Sequence, residues 1–308
     1  MKIAIFGAGG VGGYFGAKLA ASGADVTFVA RGGHLAAMKA DGLKVESALG
    51  NLRAHPVKAS DDPGAIGVAD ALLMTVKLYD LESAAEAAKP LVGPETVVIG
   101  FQNGVEAADV LAARFGKDAV AGGIVYIMAE IAKPGTIGHM GTMAKMILGS
   151  LPDTRRDSLK ALIGACRKAG FDFEESADVR VGIWSKLAML APLSGLTTLT
   201  RLTIGPLREN AETRALLKAA AVEVAAVARA RGVPLPSDAA DAALAKLDTF
   251  PAQMGSSMLH DIQRGARLEL KWLSGAVARL GQAAGVATPV HGFIASALAP
   301  YADGAPKT

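Results

Sequence analysis

The stretch that decides the fold is Met1–Arg31, MKIAIFGAGGVGGYFGAKLAASGADVTFVAR. Lys2–Phe6 is a short apolar run typical of a buried strand, and Val26–Ala30 has the pattern of a second one. Between them the loop Gly7–Gly12 fits G-x-G-x-x-G, and the helical pattern that follows ends at Gly23. A strand, a glycine loop, a helix and a second strand at these distances predict a dinucleotide-binding βαβ unit.

Each glycine of this loop has an expected task. Gly7 permits the tight turn, Gly9 lets a pyrophosphate approach the backbone, and Gly12 lets the helix pack closely on the strand. The start of the helix supplies free N–H groups and the positive end of a dipole for the phosphates. A structural β-turn-α without a nucleotide is the alternative. The predicted cofactor-binding residues of the loop are Gly7, Ala8, Gly9, Gly10, Val11 and Gly12.

The residue after the second strand indicates which dinucleotide binds. An NAD site usually has an Asp or Glu there, which accepts hydrogen bonds from the ribose hydroxyls. This chain has Arg31 instead, in the sequence Ala30–His34 (ARGGH), so no carboxylate repels a 2′-phosphate. The planar, permanently charged guanidinium of Arg31 can bind that phosphate. We therefore predict NADP (NADPH) as the cofactor, the alternative for Arg31 being a solvated loop residue.

Length, composition and charge limit the classes of protein to which this chain can belong. The chain has 308 residues, enough for two domains, and 51% of them are hydrophobic. No apolar run has the length of a membrane span, and the first strand begins so early that we expect no signal peptide. The net charge of +3 gives no reason to expect nucleic acid or an anionic membrane as a partner. The single cysteine, Cys166, is expected to be a buried thiol. We expect a cytoplasmic protein.

The remainder of the first domain alternates between strand and helix patterns. Continuous apolar runs such as Ala71–Val76 suit a parallel sheet covered on both faces. The alternation predicts an α/β fold with a Rossmann-type, doubly wound sheet. The predicted helices are His34–Asp41, Leu81–Leu91 (ended by Gly93-Pro94), Val105–Phe115 and Asp153–Ala169. The further predicted strands are Leu43–Glu46 and Leu52–Ala59 (paired around Gly50-Asn51), Thr96–Phe101, Ala119–Ile127, a hairpin with arms Pro134–Met140 and Lys145–Gly149, and Phe171–Glu174.

Ligands of such sheets bind beyond the carboxyl ends of the strands. Arg31, Lys77 and Asn103 all follow predicted strands. A lysine after a strand is usually a solvated charge, and Asn-Gly is usually a turn. Three polar residues at one edge, beside a nucleotide loop, favour a functional interpretation.

From about residue 178 helical patterns dominate, so the predicted domains are residues 1–177, which bind NADP, and 178–308, an all-helical second domain. Its predicted helices are Asn210–Arg231, a helix capped by Ser237 that ends near Leu247, Met258–Ala284 and Val290–Leu298.

Few side chains of the second domain point to chemistry. The five histidines are scattered without metal-ligand spacing, so we expect no metal site. Lys186 lies in the apolar helical stretch Ile183–Leu190. Burial lowers the pKa of a lysine and makes it a competent proton donor. The alternative is a lysine whose stem packs while its ammonium reaches water.

The stretch Gly255–Ile262 (GSSMLHDI) allows two interpretations. Ser256 or Ser257 can cap a helix, and Asp261 is spaced to pair with Arg264. On one continuous helix Glu269 would lie three turns beyond Ser257, close to the same face. A capped helix with surface ion pairs explains this pattern without a function.

Taken together, these motifs resemble the ketopantoate reductases (2-dehydropantoate 2-reductases) nearly end to end. The resemblance rests on the glycine loop with Arg31, then Lys77, Gln102-Asn103-Gly104, Pro134-Gly135, Trp184-Ser185-Lys186-Leu187, Ser256–Asp261 and Glu269. It implies NADPH-dependent reduction of a 2-keto acid, a role in pantothenate biosynthesis, and a second domain like that of 6-phosphogluconate dehydrogenase. A homodimer is the expected assembly, although no residue of the sequence decides it.

The resemblance also implies roles for individual residues. Lys186 protonates the forming alkoxide, Asn103 contacts nicotinamide and substrate, and Ser257 contacts the substrate. Lys77 and Glu269 contact the cofactor, with a backbone contact from Ala129. Hydride attack on a ketone builds negative charge on oxygen, which a positioned ammonium neutralises and protonates.

Three positions depart from the family pattern, which has asparagines one and two turns beyond the lysine. Those positions are Leu190 and Ser194 here, and a further substrate-binding asparagine is replaced by Ile204. Ser194 is retained as a candidate substrate contact, and the pocket is expected to accept ketopantoate or a more apolar 2-keto acid. The alternatives are a related hydroxy-acid or opine-type dehydrogenase and a non-catalytic, NADP-binding redox sensor.

Overall fold

The computed structural model describes residues 1–306. The chain forms two compact units. The first consists of Met1–Gln102 and Glu106–Val179, and the second consists of Asn103–Val105 and the chain from Arg180 onward.

The first unit is built on one ten-stranded sheet. Its strands are β1 (Lys2–Phe6), β2 (Asp25–Val29), β3 (Leu43–Ser47), β4 (Leu52–Ala54), β5 (Lys58–Ser60), β6 (Ala69–Met74), β7 (Val92–Gly100), β8 (Val120–Lys133), β9 (Thr136–Ser150) and β10 (Asp172–Glu175). The order is β4-β3-β9-β8-β7-β6-β1-β2-β5, with β10 beside β9. Six neighbours, β8 to β5 in that order, run parallel, which is the Rossmann-type arrangement that the alternating pattern predicts.

Helices cover this sheet. They are α1 (Gly10–Ala21), α2 (Gly32–Asp41), α3 (Pro63–Ile66), α4 (Leu81–Ala87), α5 (Ala107–Phe115) and α6 (Ser158–Lys168), with 3-10 turns at Leu78–Asp80, Lys89–Leu91 and Lys117–Ala119. The central strands are buried, Ile3 and Ile5 of β1 being at most 1% exposed, because helices and strands remove their side chains from water. Phe15 of α1 packs edge to face on Phe171 before β10, with ring centroids 5.0 Å apart.

The strands β8 and β9 form a long antiparallel ribbon. β8 pairs with β7 only as far as Gly122, opposite Gly100, and then continues beyond the carboxyl end of β7. The predicted hairpin with arms Pro134–Met140 and Lys145–Gly149 is wrong. Both arms belong to the single strand β9, and the turn of the ribbon lies at Pro134-Gly135. The register shift near Met140 reflects a bulge, which the sequence pattern mimics as a turn.

Two other predictions in this unit are wrong at their boundaries. Leu52–Ala59 is not one strand: β4 ends at Ala54, His55-Pro56 is a cis peptide, and β5 pairs with β2 at the opposite edge of the sheet. Gly93-Pro94 does not end a helix either. Both residues lie at the start of β7, where the register shifts against β6.

The second unit is helical. Its helices are α7 (Val179–Thr200), α8 (Ile204–Glu209), α9 (Ala211–Ala230), α10 (Ala239–Asp248), α11 (Ser257–Gln263), α12 (Ser274–Ala283) and α13 (Pro289–Leu298), with 3-10 turns at Leu270–Trp272 and Ala299–Tyr301. Helix α9 packs against α8, α10, α12 and α13. It begins where Asn210 caps it, as Asn210 Oδ1 accepts hydrogen bonds from the backbone of Glu212 and Thr213.

Buried polar groups join three of these helices. Glu223 of α9 accepts hydrogen bonds from the backbone N–H groups of Val290 and His291, so a side chain of another helix caps α13. His291, fully buried, lies with Nδ1 3.2 Å from Ser274 Oγ of α12 and Nε2 3.1 Å from the carbonyl oxygen of Ala220. The carbonyl can only accept, so Nε2 carries the proton and Nδ1 is the acceptor.

Two predictions in the helical unit need correction. Ser237 does not cap α10, whose N-cap residue is Asp238. The single helix predicted over Met258–Ala284 is broken: α11 ends near Gly265, which has a φ of +67°, and α12 begins only at Ser274. No helix within residues 1–306 is both long and apolar enough to cross a membrane.

Candidate active site

The glycine loop between β1 and α1 has the geometry of a nucleotide cradle. Gly7 has a φ of +104°, which favours glycine. A Cβ at Gly12 would lie 2.2 Å from the carbonyl oxygen of Gly7, so only glycine permits this approach of helix to strand. A Cβ at Gly9 would meet no atom within 4 Å, so the space above Gly9 is open.

The ribbon closes one side of this loop. A Cβ at Gly10 would lie 1.9 Å from the carbonyl oxygen of Ala129, so the backbone of β8 rests directly on the start of α1. Within the loop Ala8 is buried and Val11 is half-buried. The structure thus places Ala129 beside the glycine loop.

Thr75 holds the glycine loop by hydrogen bonds, a role that was not predicted from the sequence. Its hydroxyl donates to the carbonyl oxygen of Gly7 at 2.5 Å and lies 3.2 Å from that of Phe6. A Cβ at Gly12 would lie 2.4 Å from Thr75 Oγ1, so Thr75 also packs against the start of α1. The position directly after an apolar strand, two residues before Lys77, was the available signal.

The two basic residues of the predicted cofactor site are exposed in the first unit. Arg31 is the N-cap residue of α2, and its side chain makes no hydrogen bond or ion pair with any other of residues 1–306. Lys77 precedes the 3-10 turn at Leu78–Asp80. Gln102 donates hydrogen bonds to the carbonyl oxygens of Met74 and Val76, which fixes the end of β6 just before Lys77.

These residues fit a dinucleotide. The first N–H groups of α1 have no partner within the helix. Its first turn holds no acidic residue, and because the N-cap residue is Gly9, no side chain caps the helix. Phosphates are stabilised at such a helix start, where open space above a glycine lets them approach the backbone. An exposed guanidinium is available to a further phosphate at Arg31.

In the second unit, Lys186 belongs to a small polar cluster. It lies on α7, where its neighbours Leu187 and Ala188 are buried, and the lysine itself is half-buried. Its Nζ donates a hydrogen bond to Asn103 Oδ1 at 3.0 Å. Asn103 belongs to the short segment that clusters with the helical unit.

Glu269 completes the cluster. Asn103 Nδ2 donates a long hydrogen bond, 3.5 Å, to Glu269 Oε2, so the amide links the ammonium with the carboxylate. Glu269 is only 4% exposed and directly precedes the 3-10 turn at Leu270–Trp272. Glu269, a predicted cofactor contact, lies beside Asn103 and Lys186, because α11 ends at Gln263 and the chain turns before Glu269.

This setting changes the acidity of the lysine. Burial disfavours the charged ammonium and lowers the pKa of Lys186 to about 8, while the carboxylate of Glu269 opposes the lowering. At neutral pH the side chain is therefore protonated, yet it is a better proton donor than an exposed lysine.

The two serines at the start of α11 have different roles. Ser256 is the N-cap: its Oγ accepts a hydrogen bond from the backbone N–H of Leu259 at 3.0 Å and lies 2.8 Å from Thr197 Oγ1. It is buried, whereas Ser257, the predicted substrate contact, is the first residue of the helix and is exposed. The predicted ion pair of Asp261 with Arg264 is present at 2.7 Å.

The three positions that depart from the family pattern are largely apolar or buried. Leu190 is half-buried, one turn beyond Lys186 on α7. Ser194 is fully buried, and within residues 1–306 its Oγ has no hydrogen-bond partner. Ile204, fully buried, is the first residue of α8. No group of three or more His, Cys, Asp or Glu residues able to hold a metal ion occurs in the described part of the chain.

Comparison with known families matches both units. The family model for ketopantoate reductase PanE/ApbA matches residues 3–153, and the model for the C-terminal part of the same family matches residues 178–302. A 2-dehydropantoate 2-reductase of Mesorhizobium japonicum is 31% identical over 310 residues, which cover 94% of this chain and 94% of the relative.

Solved structures agree with the family models. A PanE/ApbA family ketopantoate reductase from Ralstonia eutropha superposes with a TM-score of 0.87 at 35% identity, over 98% of both chains. A 2-dehydropantoate 2-reductase from Geobacter metallireducens gives a TM-score of 0.89 at 30% identity, over 97% of this chain and 99% of that structure. The chain therefore belongs to the ketopantoate reductase family and is an NAD(P)-dependent oxidoreductase acting on a CH–OH group.

Proposed function

We propose that this protein reduces a 2-keto acid to the 2-hydroxy acid with NADPH, and that Lys186 is the catalytic acid. The observation that supports the proposal best is the hydrogen bond from Lys186 Nζ to Asn103 Oδ1, next to the buried carboxylate of Glu269. Burying an ammonium together with a carboxylate is costly, and such perturbed groups are concentrated at functional sites.

Each member of the cluster has a task in the proposed reaction. The nicotinamide, when bound, supplies the hydride. Lys186 holds a proton at Nζ and donates it to the oxygen on which negative charge develops. Asn103 accepts a hydrogen bond from that ammonium and so fixes its direction. Glu269 favours the charged form of the lysine and keeps it loaded with a proton near neutral pH.

We propose NADPH rather than NADH because of the charge after β2. Arg31 is exposed, its guanidinium has no partner in residues 1–306, and no carboxylate occupies its position. A 2′-phosphate gains a charge-assisted, bidentate partner there, whereas a ribose hydroxyl gains little. Lys77, Ala129 and the glycine loop are the proposed remaining cofactor contacts.

The proposed substrate is ketopantoate or a more apolar 2-keto acid. Ser257 is exposed at the start of α11 and can hydrogen-bond a polar group, as can Asn103. Leu190 and Ile204 offer no hydrogen bond, and Ser194 is fully buried. A site that does not hydrogen-bond a substrate hydroxyl discriminates only weakly for it. With ketopantoate as substrate, the protein would act in pantothenate biosynthesis.

A screen of 2-keto acids tests this proposal. NADPH oxidation is followed by absorbance with ketopantoate, with aliphatic keto acids that lack its hydroxyl, and with aromatic ones, and the products are identified as 2-hydroxy acids. We expect turnover, with an apolar keto acid giving a kcat/KM at least equal to that of ketopantoate. Tight NADPH binding without turnover of any keto acid would favour a redox sensor instead. A much higher kcat/KM for ketopantoate than for every other acid would contradict the role given to Leu190 and Ile204.

A further inference from the structure

A histidine near the glycine loop is not used by the proposed reaction. His34 is the third residue of α2, and it receives a hydrogen bond at Nδ1 from the backbone N–H of Gly135, 3.1 Å away. Gly135 forms the turn between β8 and β9, about a hundred residues further along the chain. A side chain on the helix that begins with Arg31 is thereby joined to the turn of the ribbon.

This hydrogen bond fixes the tautomer of the ring. An N–H donor at Nδ1 requires that nitrogen to be unprotonated, so the proton of the neutral ring lies on Nε2. Nε2 is buried, and the imidazole also interacts with the backbone of Ala8 in the glycine loop. The imidazole therefore lies between three parts of the cofactor site: the start of α2, the glycine loop and the ribbon.

The two residues between Arg31 and His34 are glycines. Gly32 and Gly33 are exposed, and a Cβ at either would meet no atom within 4 Å, so neither position offers a side-chain contact. Gly32 also has a φ of +56°. Between the end of β2 and the buried Leu35 of α2, His34 is therefore the side chain nearest to Arg31 that ties this segment to another part of the sheet.

The partner of His34 is itself firmly placed. Gly135 is buried, with a φ of +74°, and its carbonyl oxygen accepts a hydrogen bond from the backbone N–H of Lys44 in β3 at 2.9 Å. A Cβ at Gly135 would lie 2.9 Å from that of Ala37 in α2, so turn and helix are in close contact. His34 thus connects the glycine-rich start of α2 to the buried turn between β8 and β9.

We propose that His34 is a positioning residue for cofactor selection, which acts through Arg31 on the 2′-phosphate of NADPH. Its Nδ1 holds the first turn of α2 against the ribbon, so that the guanidinium is presented at a fixed place beside the glycine loop. The inference rests on the proposed preference for NADPH. It adds a second residue to that preference, one that touches no phosphate itself.

Two nearly isosteric substitutions separate this role from simple packing. In His34→Asn, Oδ1 takes the place of Nδ1 and can still accept from Gly135, whereas His34→Leu has a similar size and no acceptor. Lys39→Ala, an exposed position on the same helix, is the control. For each variant we would measure kcat and KM with NADPH and with NADH, NADPH binding by fluorescence, and the melting temperature.

We expect His34→Leu to lower the ratio of kcat/KM for NADPH to that for NADH by about fivefold, through the KM for NADPH, as the loss of one hydrogen bond would. His34→Asn and Lys39→Ala should keep the native ratio. In an Arg31→Ala background, His34→Leu should leave the ratio unchanged, because the two residues act as a unit.

Three results would overturn the inference: an unchanged ratio in His34→Leu, equal losses with both cofactors, or a ratio in His34→Asn as low as in His34→Leu. A native protein without a preference for NADPH would instead refute the proposed cofactor.

Discussion

Lys186 and Lys218 carry the same side chain in two environments of the helical unit. Lys218 is exposed on α9 and pairs with Asp241 at 2.8 Å in water. Lys186 is half-buried on α7, shares Asn103 with a buried carboxylate, and has a pKa of about 8. Desolvation, which Glu269 only partly offsets, makes one of them a proton donor near neutral pH.

Replacement of Lys186 tests its role most directly. We expect Lys186→Ala to reduce kcat by about 10²–10⁴-fold, the usual loss when a positioned proton donor is removed. NADPH affinity, measured by fluorescence, should stay nearly native, since the proposed phosphate contacts lie in the first unit. Lys218→Ala is the control and should behave as the native protein. Near-native turnover of a folded Lys186→Ala protein would refute the assignment.

The pH dependence of the reduction follows from the same group. Only the ammonium can donate, so kcat should be at its plateau below pH 8 and fall as the pH rises through about 8, the pKa of Lys186. Glu269 raises that pKa, so Glu269→Gln should move the falling limb to lower pH. A pH–rate profile of both proteins checks this, and a limb that does not move would contradict the coupling of Glu269 to Lys186.

Arg31 decides the cofactor in our proposal. Arg31→Ala should weaken NADPH binding by about 1.5–3 kcal/mol, the scale of a charge-assisted hydrogen bond, and leave NADH nearly unchanged. Titration calorimetry with both cofactors measures the difference. Equal dissociation constants in the native protein would leave no preference for Arg31 to explain.

Single residues of the site were predictable to different degrees. Lys186 is recognisable because a charge within an apolar helical run is unusual, and Arg31 because it replaces an expected carboxylate. The bond between Asn103 and Glu269 joins residues 166 positions apart, and no local pattern encodes it. The roles of His34 and Thr75 were not predicted. Their partners are backbone groups, and since every residue has a backbone, the type of the partner residue does not indicate the hydrogen bond.

At the scale of elements, glycine and proline explain most of the differences between the predicted and observed helices and strands. β9 continues through the bulge at Met140–Met143, where Gly141 adopts a φ of +76° without ending the strand. At Gly265 a similar φ, +67°, does end α11. A glycine with a positive φ thus bends β9 but ends α11. β9 continues past Gly141 because its hydrogen bonds to β8 resume there, and those cross-strand hydrogen bonds cannot be inferred from the local sequence.

The adjacent serines at the start of α11 give a matched test at this scale. Ser256→Ala removes the cap and the contact with Thr197, so it should reduce the free energy of unfolding by about 1 kcal/mol, with activity lost only in proportion to folding. Ser257→Ala should leave stability unchanged and raise the KM for the keto acid. Urea unfolding and steady-state kinetics of the two variants separate the roles, and the reverse pattern would contradict the assignment.

At the scale of the whole molecule, the chain has two cores, one under the ten-stranded sheet and one among the helices. We propose residues 1–177 and 178–308 as the two domains, with the glycine loop and Arg31 on the first and Lys186 on the second. The order of helices and strands was largely predictable because the hydrophobic period changes near residue 178. The homodimer stays a prediction, which sedimentation would test.

Acid should weaken the helical unit. Burial lowers the pKa of His291 to about 4 from an ordinary value of 6.5, so between these pH values the unfolded chain binds a proton that the folded one does not. Stability is therefore fully present above pH 6.5 and falls as the pH is lowered towards 4, by up to about 3 kcal/mol. Calorimetry from pH 7 to pH 5 should show the unfolding of the helical unit moving to lower temperature.

A histidine substitution checks the cause of this effect. His291→Leu should flatten the pH dependence of the unfolding temperature of the helical unit, whereas His260→Ala, at an exposed position of α11, should retain it. A pH dependence that survives in His291→Leu would assign the effect to other groups.

The acidity of Lys186 has a consequence for the direction of the reaction. A group that gives a proton during reduction must take one when a 2-hydroxy acid is oxidised, since both directions share one transition state. Above pH 8 most molecules carry the free amine at Lys186, which is then a general base ready to accept the hydroxyl proton. The ammonium of this side chain thus speeds reduction at neutral pH and its free amine speeds oxidation in alkaline surroundings, where the scarcity of protons also shifts the equilibrium towards the keto acid.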